Sequence, residues 1–305
     1  MKNKKRILIL SGAAVAIVTV AVILLYELLW KPAPLEPVPV DEAHFPDEVF
    51  REYIRHYWDD DSDGILSDKE IRAAHTIFAL DIEWYGELLG REIETVNLKG
   101  IEYFCEVESL DIRHCELEEF DLSPFPKLNS LYVDSNPLRE LDLSHSPKLE
   151  ELSCDSCHLG KLDVSHNPKL RILTCQYNQL TSLDVSQNPK LTLLVCMNNE
   201  LTSLDLSHNP NLDELWVEYN RLTSLDVSHN SKLIRLCSSS NDLSTLNVGK
   251  QSLLKELYCD ANKLKVVDVS DCPKLENLGH DKGVSIVGAP EGCNVYEIFH
   301  NSDPE

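Results

Sequence analysis

The sequence predicts an α/β repeat protein, a solenoid of short parallel strands with two strands per 21-residue coil, an N-terminal helix–loop–helix cap and an N-terminal transmembrane helix. The main observation is a pattern, L-x-x-L-x-C-x-x-N-x-L-x-x-L-D-V-S-x-N-P-K, that recurs every 21 residues without insertion or deletion. A shorter L-x-x-L-x-[apolar]-x-x-N motif occurs twice within each copy. Self-similarity at such a period is typical of a solenoid, in which each unit buries its apolar edge against its neighbours. The copies begin at Val107, Leu128, Leu149, Leu170, Leu191, Leu212, Leu233 and Leu254, with a fading copy at Leu275.

The N-terminus predicts a signal-anchor. Basic residues within positions 1–6 precede an apolar run over 7–30, which as a helix would span about 36 Å, enough to cross a bilayer core. Positive charge holds residues 1–6 in the cytoplasm, so we expect a single-pass protein of the cell membrane with the bulk of the chain extracytoplasmic. A cleaved signal sequence is the alternative, although no A-x-A-like site closes the run. The Pro-rich residues 31–42 predict an extended linker.

Residues 43–80 predict a calcium module of the EF-hand type. The segment D-D-D-S-D-G-I-L-S-D-K-E places acids at the first, third, fifth and twelfth loop positions, with Gly64 at the sharp turn and an exiting helix from Asp68 to Phe78. The alternative is a merely solvated acidic loop. No second loop of this kind follows, which favours a calcium-stabilised cap over a sensor. The predicted Ca²⁺ ligands are Asp59, Asp61, Asp63, the carbonyl of Ile65, Ser67 and Glu70.

Residues 81–106 are expected to lead into the array, and residues 107–282 to form the coils. Asn recurs at both corners of each coil, where its side chain would bond backbone groups that a tight turn leaves unpaired. Most of the ten cysteines occupy inward positions or corner-Asn positions, so we expect small buried hydrophobes rather than disulfides or a thiol metal site. Residues 283–305 are expected to cap the last coil. The two Asn rows are Asn136, Asn178, Asn199, Asn220, Asn241 and Asn262, and Asn167, Asn188, Asn209 and Asn230.

These motifs resemble those of bacterial cell-surface leucine-rich repeat proteins. The resemblance lies in the "NxLTSLDVSxNPxLxxLxC" repeats, here Asn178 to Cys196 and Asn220 to Ser238, and in the entry segments Phe45 to Ile71 and Leu98 to Phe104. It covers roughly residues 42 to 280 and is interrupted at Asp81 to Glu94. It implies a leucine-rich repeat solenoid and a role in cell-surface binding.

One face of the first strand row is the candidate ligand site. Its outward positions bring together an apolar and aromatic centre with a charged rim, the usual anatomy of a protein or glycan contact. The alternative is an ordinary scatter of exposed apolar side chains. The candidate residues are Tyr132, Ile172, Tyr177, Leu193, Val195, Met197, Trp216, Tyr219 and Tyr258.

Charge restricts the choice of partner. The formal net charge is −23, so nucleic acid and anionic lipid head groups would be repelled. A row of Asp from Asp121 to Asp268 on the second edge is expected to be solvated, with a cation-binding strip as the alternative. Stacked carboxylates about 5 Å apart would repel by roughly 0.8 kcal/mol in water.

No catalytic motif is present. The sequence therefore predicts a non-enzymatic, membrane-anchored extracytoplasmic protein that binds a protein or glycan at the cell surface, with one structural Ca²⁺. The alternatives are an envelope protein without a specific ligand, and a secreted adhesin or effector released by signal-peptide cleavage.

Overall fold

A computed structural model describes residues 35–74, 76–77 and 97–298. The predicted cytoplasmic segment and transmembrane helix, residues 1–30, lie outside the described residues, as do residues 31–34 of the linker, residue 75 and residues 78–96. Across the described ranges, no helix combines the length and apolar character needed to cross a membrane.

Two short helices and a pair of short antiparallel strands form the N-terminal cap. Strand β1 (Val38–Pro39) pairs antiparallel with β2 (Ile65–Leu66), and helices α1 (Glu48–Tyr57) and α2 (Asp68–Ala73) flank the intervening loop. Asp47 caps α1, because its carboxylate accepts hydrogen bonds from the N–H of Phe50 at 2.9 Å and of Asn97 at 3.0 Å. The end of the predicted free linker is thus a strand of the cap, with Val38 and Val40 buried.

The cap is joined to the array by the sheet itself. Helix α2 was expected to reach Phe78, which was wrong: it ends at Ala73, and β3 (Thr76–Ile77) pairs in parallel with the first coil strand. The β-branched side chains of Thr76 and Ile77 favour a strand over another helical turn. Aromatic packing strengthens the junction, since the ring of Phe45 lies 5.8 Å from that of Tyr103 in a short 3₁₀ helix (Ile101–Tyr103).

The coils stack in register, which confirms the predicted parallel-strand solenoid. The described residues include an all-parallel sheet of 11 strands in the order β3 to β9, then β11, β13, β15 and β17. The central residue of each coil strand from Leu110 to Leu278 is buried, so the row of leucines forms the core. After β3, the strands of this sheet are β4 (Ser109–Asp111), β5 (Ser130–Tyr132), β6 (Glu151–Ser153), β7 (Ile172–Thr174), β8 (Leu193–Val195), β9 (Glu214–Trp216), β11 (Arg235–Cys237), β13 (Glu256–Tyr258), β15 (Asn277–Asp281) and β17 (Asn294–Ile298).

The second edge departs from the prediction of two strands per coil. Here strands form only as two pairs, β10 (Ser224–Asp226) with β12 (Thr245–Asn247) and β14 (Val266–Asp268) with β16 (Ser285–Val287). In the first pair Asp226 lies opposite Asn247, and in the second pair Asp268 lies opposite Val287. Where Asp would face Asp in the neighbouring coil, no strand pair forms in the described residues. Like charges directly opposite destabilise a strand pair, which accounts for part of the difference. Strands β12 and β14 do not pair either, although Asn247 would face Asp268 there, so charge is not the whole reason.

The first Asn row does what the repeat predicted. The Oδ1 of Asn178 accepts from the N–H of Cys157 at 3.1 Å and of Leu159 at 2.9 Å, and its Nδ2 donates to the carbonyls of Cys154 and Cys175. These bonds follow a left-handed residue at every turn, where the backbone cannot pair with itself. The second row donates in the same way, but the Oδ1 atoms of Asn167, Asn188, Asn209 and Asn230 are buried without a protein partner.

The C-terminal segment adds one more coil. β17 pairs with β15 after a step of 17 residues instead of 21, as Asn294 faces Asn277. This coil buries Leu275 and Leu278, but Val287 and Val295 within the predicted cap remain 43% exposed. Residues 299–305 of the predicted cap lie outside the described residues.

Candidate functional site

The outward face of the 11-stranded sheet carries the predicted ligand residues. Each three-residue coil strand points its middle side chain into the core and its two flanking side chains outward. The strands are in register, so side chains at equivalent positions of adjacent coils are direct neighbours. The backbone therefore sets the positions of the outward side chains in the absence of a ligand.

An apolar patch occupies the middle of this face. We define it as Ile172, Leu193, Val195 and Met197. Ile172 faces Leu193, and Val195 faces Trp216 in the next strand. All four patch side chains are half-buried, a state that leaves apolar surface available for contact.

Two exposed tyrosines border the apolar patch. Tyr177 and Tyr219 are 55% and 57% exposed, and both adopt the left-handed backbone region, with φ of 55° and 54°. They lie two coils apart in one row, with Asn198 between them. A bulky residue in this conformation is strained, whereas Asn tolerates it.

Tyr132 lies apart from the apolar patch. Its hydroxyl donates to Glu151 at 2.7 Å, and the guanidinium of Arg113 lies 5.9 Å from its ring centroid. Burial, together with the bond to Glu151, raises the pKa of Tyr132 to about 12. The hydroxyls of Ser153 and Thr174 separate it from Val195 along the row. The structure therefore places Tyr132 on the predicted face but not in the predicted cluster.

A charged and aromatic cluster follows the apolar patch towards the C-terminus. Arg235 donates to both oxygens of Glu256, at 2.8 and 3.2 Å, and to Glu214 at 3.4 Å. Its guanidinium carbon lies 5.4 Å from the centroid of the Trp216 ring, a cation–π contact. Tyr258 lies beyond it, one strand past Cys237. These contacts hold Trp216 in place.

Sequence reasoning missed Arg235 and Tyr296 as members of this face. Arg235 shares the outward position of Glu214 and Glu256, and the 21-residue register would have found it. The 21-residue step could not place Tyr296 on this face, because the coil of Tyr296 is four residues shorter than the others.

Several acids on the same face are shielded from solvent. Burial raises the pKa of Asp155 and of Glu218. Asp155 accepts from the backbone and side-chain amides of Gln176 at 2.9 and 2.7 Å. Glu218 has one carboxylate oxygen that is buried without a hydrogen-bond partner. The rim of the face is therefore acidic, with carboxylates held in fixed positions.

The predicted calcium loop brings three carboxylates together. Ligand oxygens of Asp59, Asp61 and Asp63 lie within 4.8 Å of one another. Asp59 is buried and accepts from the N–H groups of Asp63 and Gly64 at 3.1 and 3.0 Å. Such preorganised oxygens fit the hard oxygen ligands that Ca²⁺ requires.

Glu70 faces the same loop from α2. One of its oxygens accepts from the N–H of Asp60 at 2.8 Å, and the other accepts from the N–H and hydroxyl of Ser67 at 2.8 and 2.6 Å. Burial opposes ionisation of Glu70, but the bonds from Ser67 and from the loop outweigh it and lower its pKa. The carboxylate is thus charged at neutral pH, as a cation ligand must be. Ile65, whose carbonyl is the remaining predicted ligand, is paired with Pro39 between strands β2 and β1.

Most of the cysteines are small buried residues, as predicted: eight are buried, whereas Cys105 and Cys293 are half-buried. All ten lie within the described residues, and none forms a disulfide. Cys154, Cys175 and Cys196 stack on successive coils with no exposed surface, and burial raises the pKa of all three thiols. Such thiols are poor nucleophiles and metal ligands at neutral pH.

The Asp row on the second edge is exposed and locally bonded. Asp142, for example, accepts from the N–H of Ser144 at 2.9 Å, which lowers the pKa of that carboxyl. The same turn recurs at Asp163, Asp184, Asp205 and Asp226. This arrangement agrees with the solvated-row interpretation.

Comparison with known proteins places the fold among the internalins. No protein-family model matches the chain, and no curated protein matches it in sequence. Among solved structures, the functional domain of InlJ from Listeria monocytogenes, which includes a cysteine ladder, is 26% identical with a TM-score of 0.69, over 88% of this chain and 65% of that one. This chain therefore spans about two thirds of the length of the InlJ structure.

Two further Listeria monocytogenes structures share the fold. Internalin C2 is 18% identical with a TM-score of 0.56, over 80% of this chain and 95% of that one. The internalin InlF is 20% identical with a TM-score of 0.50, over 83% and 88% of the two chains. The structural neighbours of this chain are thus bacterial leucine-rich repeat internalins with coils of about 21 residues.

Proposed function

We propose that this chain is a membrane-anchored, extracytoplasmic leucine-rich repeat protein that binds a protein partner through the outward face of its sheet. The observation that carries the proposal is the apolar patch next to Trp216, held on a rigid sheet and rimmed by charged side chains. Protein interfaces concentrate their binding energy in such central apolar and aromatic residues. The internalin-like fold supports binding as the general role of the chain.

Display outside the cell rests on the sequence. Basic residues 2–6 followed by the apolar run 7–30 are the basis for proposing a signal-anchor. Intact mass of the mature protein separates this from the secreted alternative, since cleavage would remove about the first 30 residues. A mature chain that keeps residues 7–30 supports the anchor.

A single Ca²⁺ in the cap is part of the proposal. Asp59, Asp61, Asp63, the carbonyl of Ile65, Ser67 and Glu70 would hold it, and the ion would neutralise the clustered carboxylates. Since β3 in the same segment pairs with the first coil strand, a stable loop would also support the open end of the solenoid.

The binding proposal is tested by truncating the face. The purified full chain is used to capture partners from native cell surfaces, and the captured protein is quantified by mass spectrometry and then titrated. Replacing Leu193→Ala together with Trp216→Ala should weaken binding of that protein by about 30-fold, the effect of losing one hot spot of about 2 kcal/mol.

The control removes exposed apolar side chains elsewhere on the chain. Leu253→Ala with Val266→Ala trims exposed side chains outside the face and should leave binding unchanged. Equal binding by both double variants, with unchanged circular dichroism, would show that the partner is not bound through the apolar patch and Trp216. Failure to capture any protein with the wild-type chain would favour the envelope-protein alternative without a specific ligand.

A further inference from the structure

One row of the face alternates large aromatic and small residues. Along the third position of consecutive strands, Trp216, Cys237, Tyr258, Gly279 and Tyr296 are direct neighbours in register. The aromatic members are half-buried or, for Tyr296, 47% exposed. We call Trp216, Tyr258 and Tyr296 the aromatic track.

The small residues between them make room for the rings. A Cβ built on Gly279 would lie 2.8 Å from Cδ1 of Tyr258, too close for any real side chain. The ring of Tyr258 therefore leans across the sheet over Gly279 instead of standing away from it. The ring is half-buried in this position.

The aromatic track has a fixed repeat. Adjacent strands lie about 4.8 Å apart, so rings on every second strand recur at about 9.6 Å. Polar side chains line the track on its neighbouring outward row, in the order Glu214, Arg235, Glu256 and Asn277. The hydroxyl of Tyr296 donates to Asn277 at 3.0 Å, and Arg235 is tied to both glutamates.

We propose that the aromatic track binds an extended β-1,4-linked glycan. In such a chain successive sugars alternate in orientation, so the same apolar C–H face recurs once per disaccharide. That step is close to two strand spacings. The negative face of an aromatic ring attracts C–H groups, and the carboxylates and amide beside the track are suitable acceptors and donors for the sugar hydroxyls.

Charge and chemistry favour this ligand over a nucleic acid, which also offers regularly spaced rings. Glu214 and Glu256 flank the track, and the net charge of −23 repels phosphate. A neutral polysaccharide meets no such barrier. The aromatic track begins at Trp216, which also borders the apolar patch, and its other rings lie on strands beyond the patch, so a partner protein and a glycan would share only Trp216.

The test is calorimetric titration of the full chain with chitohexaose and cellohexaose, which are β-1,4-linked, and with maltohexaose, an α-linked glucan that presents no such repeated face. Binding of at least one β-linked hexamer and no binding of maltohexaose are expected. Tyr258→Ala should weaken that binding by about tenfold. Tyr132→Ala is the matched control, because Tyr132 occupies the same strand position outside the track, and it should change nothing.

Gly279→Ala provides an independent variant that keeps all three rings. Its methyl group would displace the ring of Tyr258, so the binding loss should approach that of Tyr258→Ala while circular dichroism stays unchanged. Absence of β-linked binding, equal binding of maltohexaose, or insensitivity to both Tyr258→Ala and Gly279→Ala would each overturn the proposal. Protein capture through Leu193 would be unaffected by that failure, so the two proposals fail separately.

Discussion

At the residue scale, stability and binding favour different residue types in one row of positions. This row consists of the residues with a left-handed backbone that follow the coil strands. Each coil from β4 to β13 in the 11-stranded sheet turns after its strand through a residue with φ between 52° and 57°, and most of these coils place Ser, Asn, His or Ala there. Tyr177 and Tyr219 occupy the same positions although a bulky side chain gains nothing from the conformation. Their exposed rings border the apolar patch, which suggests that they are kept for binding and not for stability.

This opposition predicts two effects of opposite sign. Replacing both tyrosines, Tyr177→Asn and Tyr219→Asn, should raise the free energy of unfolding by about 1 kcal/mol, because Asn tolerates the left-handed region. The same variant should bind the captured partner protein more weakly. Urea denaturation measures the first effect and titration the second.

The control for this variant uses the same row without the rings. Ser156→Asn with Ser240→Asn places Asn in the same conformation, with φ of 56° at both positions, and should leave binding unchanged. If the tyrosine variant proves less stable than the wild type, the rings stabilise the fold and the argument from strain is wrong.

At the element scale, the repeat predicted what depends on contact between neighbouring coils and missed what depends on charge or on an altered step. The leucine core, the first Asn row and the buried cysteines all follow from 21-residue periodicity. The second-edge strands form in only two pairs and are missing wherever Asp would face Asp, and apolar spacing carries no information on such charge pairs. The coil of Tyr296 was missed because its step is shorter.

The cap shows a second limit on sequence reasoning. Acid spacing predicted the loop and the approach of Asp59, Asp61 and Asp63. It could not predict that β1, from the linker, would pair with β2 inside the loop, because a two-residue strand carries almost no periodic signal. The loop is therefore held by this strand pair on one side and by α2 on the other.

This arrangement predicts that calcium stabilises the whole solenoid and not the loop alone. Adding Ca²⁺ to the full chain should raise the melting temperature, and a chelator should reverse the rise. Asp59→Ala with Glu70→Ala should abolish the calcium-dependent part, since these two buried carboxylates hold opposite sides of the loop. Differential scanning calorimetry with and without Ca²⁺ makes the measurement.

A matched variant separates calcium binding from general acidity. Asp142→Ala with Asp163→Ala removes two exposed carboxylates of the Asp row and should keep the full calcium response. A wild-type melting temperature that changes with neither Ca²⁺ nor chelator would refute the calcium site.

At the scale of the whole molecule, the coils share one backbone structure but differ in their exposed side chains. Each coil contacts only its neighbours, and the same bonds recur at a 21-residue step, so stability is close to a sum over coils and their interfaces. The binding features are local: the apolar patch lies mainly on the coil of β8, and the aromatic track begins at β9. Architecture and recognition can therefore be separated by removing whole coils.

Deleting residues 180–200 removes one full coil, including Leu193, Val195 and Met197, and joins Gln179 to Leu201. Because Gln179 and Glu200 occupy equivalent positions, the corner is rebuilt and the strands on either side should pair in register. We expect a cooperative thermal transition, a circular dichroism spectrum close to that of the wild type, and loss of the captured partner protein. Glycan binding through the aromatic track should persist.

Deleting residues 138–158 instead removes a coil of the same length without touching the apolar patch or the aromatic track. This variant should also fold and should retain partner binding, so it controls for shortening the solenoid. If both deletions unfold the chain, the coils are not interchangeable and the additive picture is wrong. If both deletion variants fold and both still bind the partner, Leu193, Val195 and Met197 are not needed for binding. The partner would then be recognised somewhere other than the apolar patch.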